Sequence, residues 1–492
     1  MVKDKNKDTT ERCTSKGDSR GTAEASKISA STHYETCREH LSPFGGLLAL
    51  IKFLDVIEFE AVFEGSYQKP AREPKLGHYR MVVGIVLLLF IGFNRLWHFS
   101  YIRFDSVVSG FFKVVCLPVA STFWRYVDSL GINQSQSVLR VMGVVRERVW
   151  QLGGISHKRI HVDVDTTVET LYGEQQGGRK GHNTAHRGKK GYRPLLCFIQ
   201  ETREYLVGKL RSGETVSGKE CAAFIAMIKR YVPGCVRQIE LRADGEFLSW
   251  EAVKALLKEG IAFIIGNKVC KPVFAVAGWY RPWKRELAEY NSCMYQPLGW
   301  EVACRFVAMR IPKQSGADYE QLPLFEDDWY TYRIFCTSLT GKAHEVIAAY
   351  DQRADVENLV GEAKREGLAA IPSAKFKNNY AYFQLVLLAY NLWRYMKILA
   401  QESSTDGTQR KTAPEGLTGI MDNTIRIARL KLLFIAAKVA AHANRVTVKY
   451  SVHDARTAGL LQVLHFLDKL RATMRPWVSG SLWPCRFALN TQ

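Results

Sequence analysis

The chain has 492 residues, 47% of them hydrophobic, and a formal net charge of +20. That length and apolar content suffice for a large core in two or three structural units. The charge favours a polyanionic partner without dictating a fold. Eleven cysteines without a Cys-x-x-Cys pair read as reduced thiols in a cytoplasm, and they offer no zinc site.

Residues 1–42 are rich in Ser, Thr, Lys, Asp and Glu and lack an apolar h-region, so they read as a disordered polar tail and not as a secretory signal. From Pro43 the pattern becomes helical and stays so to Trp150, defining a helical region over 43–155. The longest apolar run, Met81 to Phe93, is ended by Asn94 and Arg95. It falls short of the ~20 residues of a membrane-spanning helix, so it reads as a buried core helix, and nucleic acid is favoured over a lipid surface. In Pro118-Val-Ala-Ser-Thr122-Phe-Trp-Arg125-Tyr, Ser121 or Thr122 is suited to cap a short helix that presents Trp124, Arg125 and Tyr126 and stops at Gly131. The choice lies between a helix-turn-helix-like DNA contact and a packing helix with one surface arginine.

From Arg159 the pattern turns to strands. Arg159–Asp165, Pro194–Gln200 and Tyr205–Leu210 are followed by a helix over Glu220–Tyr231, a strand over Gln238–Asp244, a helix over Ser249–Lys258 and a strand over Ile261–Ile265. This α/β pattern has the element order expected of an RNase H-like core. Residues 268–340 are aromatic and strand-prone. Leu385–Lys397 and Ile425–Ala441 read as apolar helices, the second within a C-terminal helical region over 401–492.

Three acidic motifs occur along this framework. In His161-Val-Asp163-Val-Asp165-Thr166 residues two apart share a strand face, so either Asp163 or Asp165 could serve a site. Asp244 ends a strand, where open α/β sheets place their ligands. The third motif, Tyr350-Asp-Gln-Arg353-Ala-Asp-Val-Glu357 with Lys364 beyond, puts Tyr350, Arg353, Glu357 and Lys364 within an arc of roughly 60° if it forms one helix. Three carboxylates make a hard oxygen site suited to Mg2+ or Mn2+, and a two-ion centre of that kind cleaves phosphodiesters.

The Tyr-x2-Arg-x3-Glu-x6-Lys spacing, preceded in order by Asp165-Thr166 and by Ala243-Asp244-Gly-Glu-Phe247, resembles DDE transposases of the IS4 superfamily, most of all its IS1380 family. The resemblance implies Asp165, Asp244 and Glu357 as catalytic metal ligands, with Asp165 preferred because the family pattern places Thr after the catalytic Asp. It implies a catalytic domain over 156–400 with a β-rich insertion at 268–340, preceded by an N-terminal DNA-binding region. It assigns Tyr350, Arg353 and Lys364 to the phosphate backbone near the cleaved end, a role that suits their chemistry. It also implies the terminal inverted repeats of a bacterial insertion sequence as DNA partner, synapsis as a homodimer, and a nucleoid-associated location. Where relatives carry a small residue this chain has Glu246, expected to point to solvent.

Downstream of the first acid, Arg179, Lys180, Arg187, Lys189 and Lys190 lie in a glycine-rich loop suited to phosphates. Its glycines make a His182/His186 metal pair improbable. Two other functions use part of the same set: a catalytically idle DNA-binding protein descended from such an enzyme, and a metal-dependent endonuclease without strand transfer.

Overall fold

The computed structural model describes residues 29–181, 183, 186–267, 278–283, 287–313, 330–405, 417–443 and 445–473. The chain divides into two units, Met1–Glu39 and His40–Gln492. In the first, the described residues carry one turn, closed from the Thr32 N–H to the Ser29 carbonyl.

The second unit opens with strand β1 (His40–Ser42) and helices α1 (Leu47–Val56), α2 (Phe59–Ser66), α3 (His78–Ile91), α4 (Phe99–Ile102), α5 (Ser106–Phe112), α6 (Ala120–Ser129) and α7 (Ile132–Leu152). Strands β2 (Arg159–Thr166), β3 (Glu169–Thr170), β4 (Arg179–Lys180), β5 (Lys190–Tyr192), β6 (Leu195–Ile199) and β7 (Glu204–Lys209) follow. Then come α8 (Gly218–Tyr231), β8 (Gln238–Ala243), α9 (Trp250–Glu259), β9 (Ala262–Asn267), β10 (Glu289–Tyr295), β11 (Cys304–Pro312) and β12 (Tyr330–Thr337). The chain continues through α10 (Ala343–Asp351), α11 (Ala354–Ala363), α12 (Phe376–Thr405), α13 (Ile425–Leu432), the hairpin β13 (Ala437–His442) and β14 (Arg445–Tyr450), and α14 (Arg456–Thr473).

The architecture is mixed α/β around one large mixed sheet, ordered β10-β11-β12-β9-β8-β2-β6-β7. β2 runs parallel to β8 and antiparallel to β6, and β8 runs parallel to β9. Each expected core strand and helix occurs within a few residues of its sequence position, for local reasons. Apolar residues alternate in β2, Ser217 and Glu220 close a capping box on α8, and Gly260 ends α9 at φ +65°, a conformation glycine adopts without strain.

The strands of the 268–340 segment lie between β9 and α10, where a β-rich segment is expected, and extend the core sheet, with β12 antiparallel to β9. The open edge of β9 presents backbone donors and acceptors that need partners, and β12 supplies them. The 425–441 segment is helical only to Leu432, after which β13 pairs with β1 on one side and β14 on the other. Alternation in the hairpin gives it an inner face of Ala437, Val439, Val448 and Tyr450, which a helix would scatter. Since His40–Ser42 is part of that sheet, the polar tail ends earlier than its composition indicates.

The expected core helix is α3, twelve of whose fourteen residues are buried. It packs on α12, with Phe90 stacked on Trp393 at 4.1 Å. Among the described residues no single helix is long and apolar enough to cross a membrane, although α3 passes that test jointly with Leu96–Ile102, across a 91° bend. α7 is fixed to the sheet edge through Glu204. This fully buried carboxylate accepts from Arg146 Nε at 2.8 Å, Trp150 Nε1 at 2.7 Å and the Tyr395 hydroxyl at 2.7 Å.

The ends of the unit meet at Gly45–Gly46, whose N–H groups donate to the Ile435 and Leu433 carbonyls. A Cβ on Gly46 would lie 1.7 Å from the Leu432 carbonyl oxygen, so nothing larger than glycine fits. Gly46→Ala is expected to cost at least ~1–3 kcal/mol of stability through overpacking and to expose the β13–β14 hairpin to trypsin at Arg445 and Lys449. Limited proteolysis alongside a thermal melt checks both.

Candidate active site

The centre of the sheet sets the positions of two acids. Asp163 on β2 stands directly beside Arg242 on β8, and the two form a bidentate pair at 2.7 and 2.8 Å. With that register fixed, Val164 lies beside Ala243, and Asp165 and Asp244 follow at the same end of neighbouring strands. Asp163 is therefore committed to Arg242, which leaves Asp165 as the acid of the first motif that faces the site. The fully buried Arg242 also donates to Gln200 Oε1 and to the Ala349 carbonyl, each at 2.8 Å. That carbonyl lies in the last turn of α10, where helix carbonyls lack intrahelical partners.

The third motif does not form one continuous helix. Tyr350 lies in the last turn of α10, which ends at Asp351, Gln352 and Arg353 make the junction, and Arg353 is the N-cap of α11, which carries Glu357 in its first turn. Lys364 begins a π-helical turn running to Leu368, closed by Gly367 at φ +123°. The 60° arc therefore does not describe these residues. The break re-aims Arg353 inward. Its Nη2 donates to Asp165 Oδ1 at 2.7 Å and to the Val164 carbonyl at 3.0 Å, and its guanidinium lies 5.9 Å from the Tyr350 ring centroid. Lys364 also turns to the protein, reaching the Val168 carbonyl at 3.0 Å and the buried Glu169 at 3.5 Å. Tyr350 packs on Phe335 with ring centroids 4.4 Å apart.

Burial pushes the Asp165 carboxyl up. Arg353 opposes this shift, while the charges of Asp244 and Glu357 add to it, and the result is about 6. Asp244 is likewise raised, first by burial and then by Glu246, against Arg353 and Arg193. Glu357 is exposed on α11, close enough for its charge to act on Asp165.

Glu246 does not point to solvent. Its carboxylate pairs with Arg193 and accepts from the Thr166 hydroxyl at 3.4 Å, while its N–H donates to Asp244 Oδ1 at 3.2 Å. It belongs to the rim of the acid cluster and keeps a buried arginine beside it. Among the described residues no three His, Cys, Asp or Glu side chains stand together as a ready-made ion cage.

The basic segment is a small sheet, β3-β5-β4, held by a close backbone approach in which a Cβ on Gly181 would meet the Gly213 carbonyl oxygen at 2.0 Å. Arg179, Lys180, Arg187 and Lys189 are exposed on it. Arg179 lies 3.7 Å from Glu214, and Lys190 is paired with Glu174 at 2.6 Å. His182 falls outside the described residues, and His186 lies 3.4 Å from the Tyr172 hydroxyl. On α6 the N-cap is Val119, without a side-chain cap. Tyr126 is buried against Tyr67 and His78, so Arg125 is the exposed member of its trio. The structure thus brings Asp165, Asp244, Arg353 and Tyr350 together with Glu357 nearby, and leaves the basic sheet and Arg125 outside that cluster.

Sequence reading passed over Arg242 and Arg193. Arg242 had a signal: it stands two residues before Asp244, as Asp163 stands two before Asp165. A lone arginine in an otherwise apolar strand also needs a buried partner. Arg193 carried no such mark among the loop's other cations.

Comparison with known proteins places these features in context. The model of the family described as transposase DDE domain, group 1, matches residues 34–472. No curated protein matches the chain. Among solved structures, the cryo-EM structure of the piggyBac transposase synaptic complex with hairpin DNA is similar at 10% identity. The match covers 89% of this chain and 87% of that one, with a TM-score of 0.40.

Removing Asp163 strands a buried guanidinium, so Asp163→Ala should destabilise the protein by about 3–5 kcal/mol, read by urea denaturation. Asp165 titrates in the opposite sense to a stabilising carboxylate. With its value raised from 3.8 to about 6, the folded state holds the proton more tightly, so its contribution is most favourable below pH 3.8 and is lost as pH rises through 6. Wild type should therefore lose stability relative to Asp165→Asn across that window, by on the order of 3 kcal/mol at most. Parallel denaturation curves of the two proteins between pH 4 and 7 check this.

Proposed function

The chain belongs to the transposase DDE domain group 1 family, and on that premise we propose that it cleaves DNA at the ends of a mobile element and joins the freed strand to a target. The observation that carries this reading is the convergence of Asp165 and Asp244 on adjacent strand ends, with Glu357 brought near by the helix that follows Arg353. The strand order β7-β6-β2-β8-β9, with β6 antiparallel to β2, supports an RNase H-like core. The motif spacing supports the IS4 superfamily and its IS1380 family. The substrates proposed are the terminal inverted repeats of an insertion sequence and a target duplex, brought together by two copies of the chain.

The donor set fits Mg2+ or Mn2+. It is oxygen only, and a bound cation would offset the burial and the neighbouring acid charges that raise Asp165. When bound, such ions supply activation of a water or 3′-hydroxyl and stabilisation of the leaving oxygen. The remaining chemistry belongs to the chain. Asp165, Asp244 and Glu357 are the proposed ligands. Arg353 is now the cation on Asp165, so completing the site takes a rearrangement in which it leaves that carboxylate. A DNA phosphate is the natural partner for it, since guanidinium binds phosphate and carboxylate with the same two-pronged geometry. Lys364 has the corresponding exchange to make, from Glu169 to a neighbouring phosphate. Burial raises the Tyr350 phenol, which keeps it a hydrogen-bond donor for the strand end. Arg179, Lys180, Arg187, Lys189 and Lys190, with Arg125 on α6, are the proposed contacts to duplex outside the cleavage point.

The test is end nicking on labelled DNA carrying the element's terminus, with Mg2+, Mn2+ or EDTA. Asp165→Ala, Asp244→Ala and Glu357→Ala should each abolish metal-dependent nicking while DNA binding persists. Cleavage retained in any one of them removes that residue from the site. Arg353→Ala and Lys364→Ala should weaken end binding and each lower the salt slope by roughly 1. Binding without nicking under every metal would identify a DNA-binding protein, and nicking without joined products an endonuclease.

A further inference from the structure

The C-terminal hairpin carries a surface that the acid cluster does not use. From Asn423 to His453 the chain contains no Asp or Glu. In the three-stranded sheet β1-β13-β14, Lys438 lies directly opposite Lys449, Ala440 opposite Thr447, and His442 opposite Arg445. Because alternate residues share a face, these six side chains lie together, with Ala437, Val439, Val448 and Tyr450 on the other side. Tyr450 anchors that inner side by donating to the Gly45 carbonyl at 3.0 Å.

Like charges directly across a ladder destabilise a sheet, yet this hairpin sets Lys438 opposite Lys449. No carboxylate meets Arg445 or Lys449 among the described residues, and both side chains are exposed. The spacers between the cations are the small residues Ala440 and Thr447, which leave the face flat. The exposed Arg445 and Lys449 are cations that a polyanion lying across this face would neutralise.

We propose that this hairpin face is a DNA-backbone contact, separate from the basic sheet β3-β5-β4, and that it holds duplex without reading its sequence. The occupant follows from charge and shape. Regularly spaced cations on a flat strand surface suit the repeated phosphates of a duplex. The face carries no Asn or Gln, and its small spacers offer little for base edges, whereas phosphate contacts position DNA without specifying it. Target or flanking duplex is therefore the expected ligand. This inference deepens the transposase reading and rests on it for biological meaning, but its measurement requires no catalysis.

The experiment is fluorescence anisotropy of the full chain with a labelled random-sequence duplex in EDTA, titrated with KCl. The variants are Arg445→Gln/Lys449→Gln and the charge-keeping Arg445→Lys/Lys449→Arg. Loss of two phosphate contacts should make the slope of log affinity against log salt shallower by ~1.8, equally on random and element-end duplex, and the charge-keeping pair should restore it. A wild-type slope in the Gln pair overturns the proposal, as does failure of the charge-keeping pair to restore binding. If the Gln pair loses binding to phosphatidylserine vesicles while its duplex slope is unchanged, the face belongs to anionic lipid and the proposal falls. A wild type that binds no duplex overturns both readings. A slope change in the Gln pair alongside absent nicking overturns only the catalytic one.

Discussion

One buried ion pair sets the geometry on which the acid cluster depends. Arg242 joins the two central parallel strands through Asp163, reaches Gln200 just beyond β6, and holds the Ala349 carbonyl at the end of α10. The first contact fixes the register that makes Asp165 and Asp244 neighbours. The last fixes where α10 stops, and hence where Arg353 and then Glu357 enter. A buried pair of this kind is a poor source of net stability, because desolvation offsets most of the attraction. Its value here is positional, since a one-residue slip of β2 against β8 would send Asp165 to the opposite face.

Around that hub the site is arranged as an electrostatic exchange. Asp165 is held in a half-buried environment beside two other carboxylates, and its charge is tolerable because Arg353 is placed on it. Glu246 and Arg193 repeat the arrangement at the rim, next to Asp244. Asp165 and Glu246 thus each have a protein cation as a stand-in partner, and each of those cations has the chemistry to bind phosphate instead. Substrate and divalent ion would then arrive as mutually reinforcing replacements. On the proposed function, a phosphate would draw the guanidinium off and the freed carboxylates would gain affinity for a cation. Electrostatics of this form would link metal loading to DNA loading without a separate switch.

The core strands were legible because each signal was local: alternation in β2, the capping box of α8, the glycine after α9. The order and spacing of the acids pointed to one site, and the pairing of β2 with β8 puts Asp165 and Asp244 on neighbouring strand ends. What could not be read was where one element borrows a partner from far along the chain. Arg353 is helical by periodicity, yet a helix break turns it toward Asp165, 188 residues earlier. Lys364 is drawn to Val168 and Glu169 in the same way. No local signal shows that β10–β12 join the core sheet, since it is the open edge of β9 that recruits them. The Ala437–His442 segment is compatible with helix or strand by propensity, and β1 and β14 decide it.

The same long-range pairing connects the C-terminal hairpin to the cluster. Glu362, five residues after Glu357 on α11, is buried and accepts from the Ile425 N–H at 2.6 Å, at the start of α13, as well as from Arg394 on α12. α13 then runs into β13. Helix N-termini carry unsatisfied donors, and a carboxylate placed on one is favoured by the helix dipole. The helix bearing Glu357 is thereby indexed to the start of the hairpin segment by a charge-assisted hydrogen bond. A duplex laid across Arg445 and Lys449 would bear on a segment that begins at this contact. The proposed backbone contact at the hairpin and the helix bearing Glu357 are therefore tied through one hydrogen bond, although one lies on a small sheet and the other on α11.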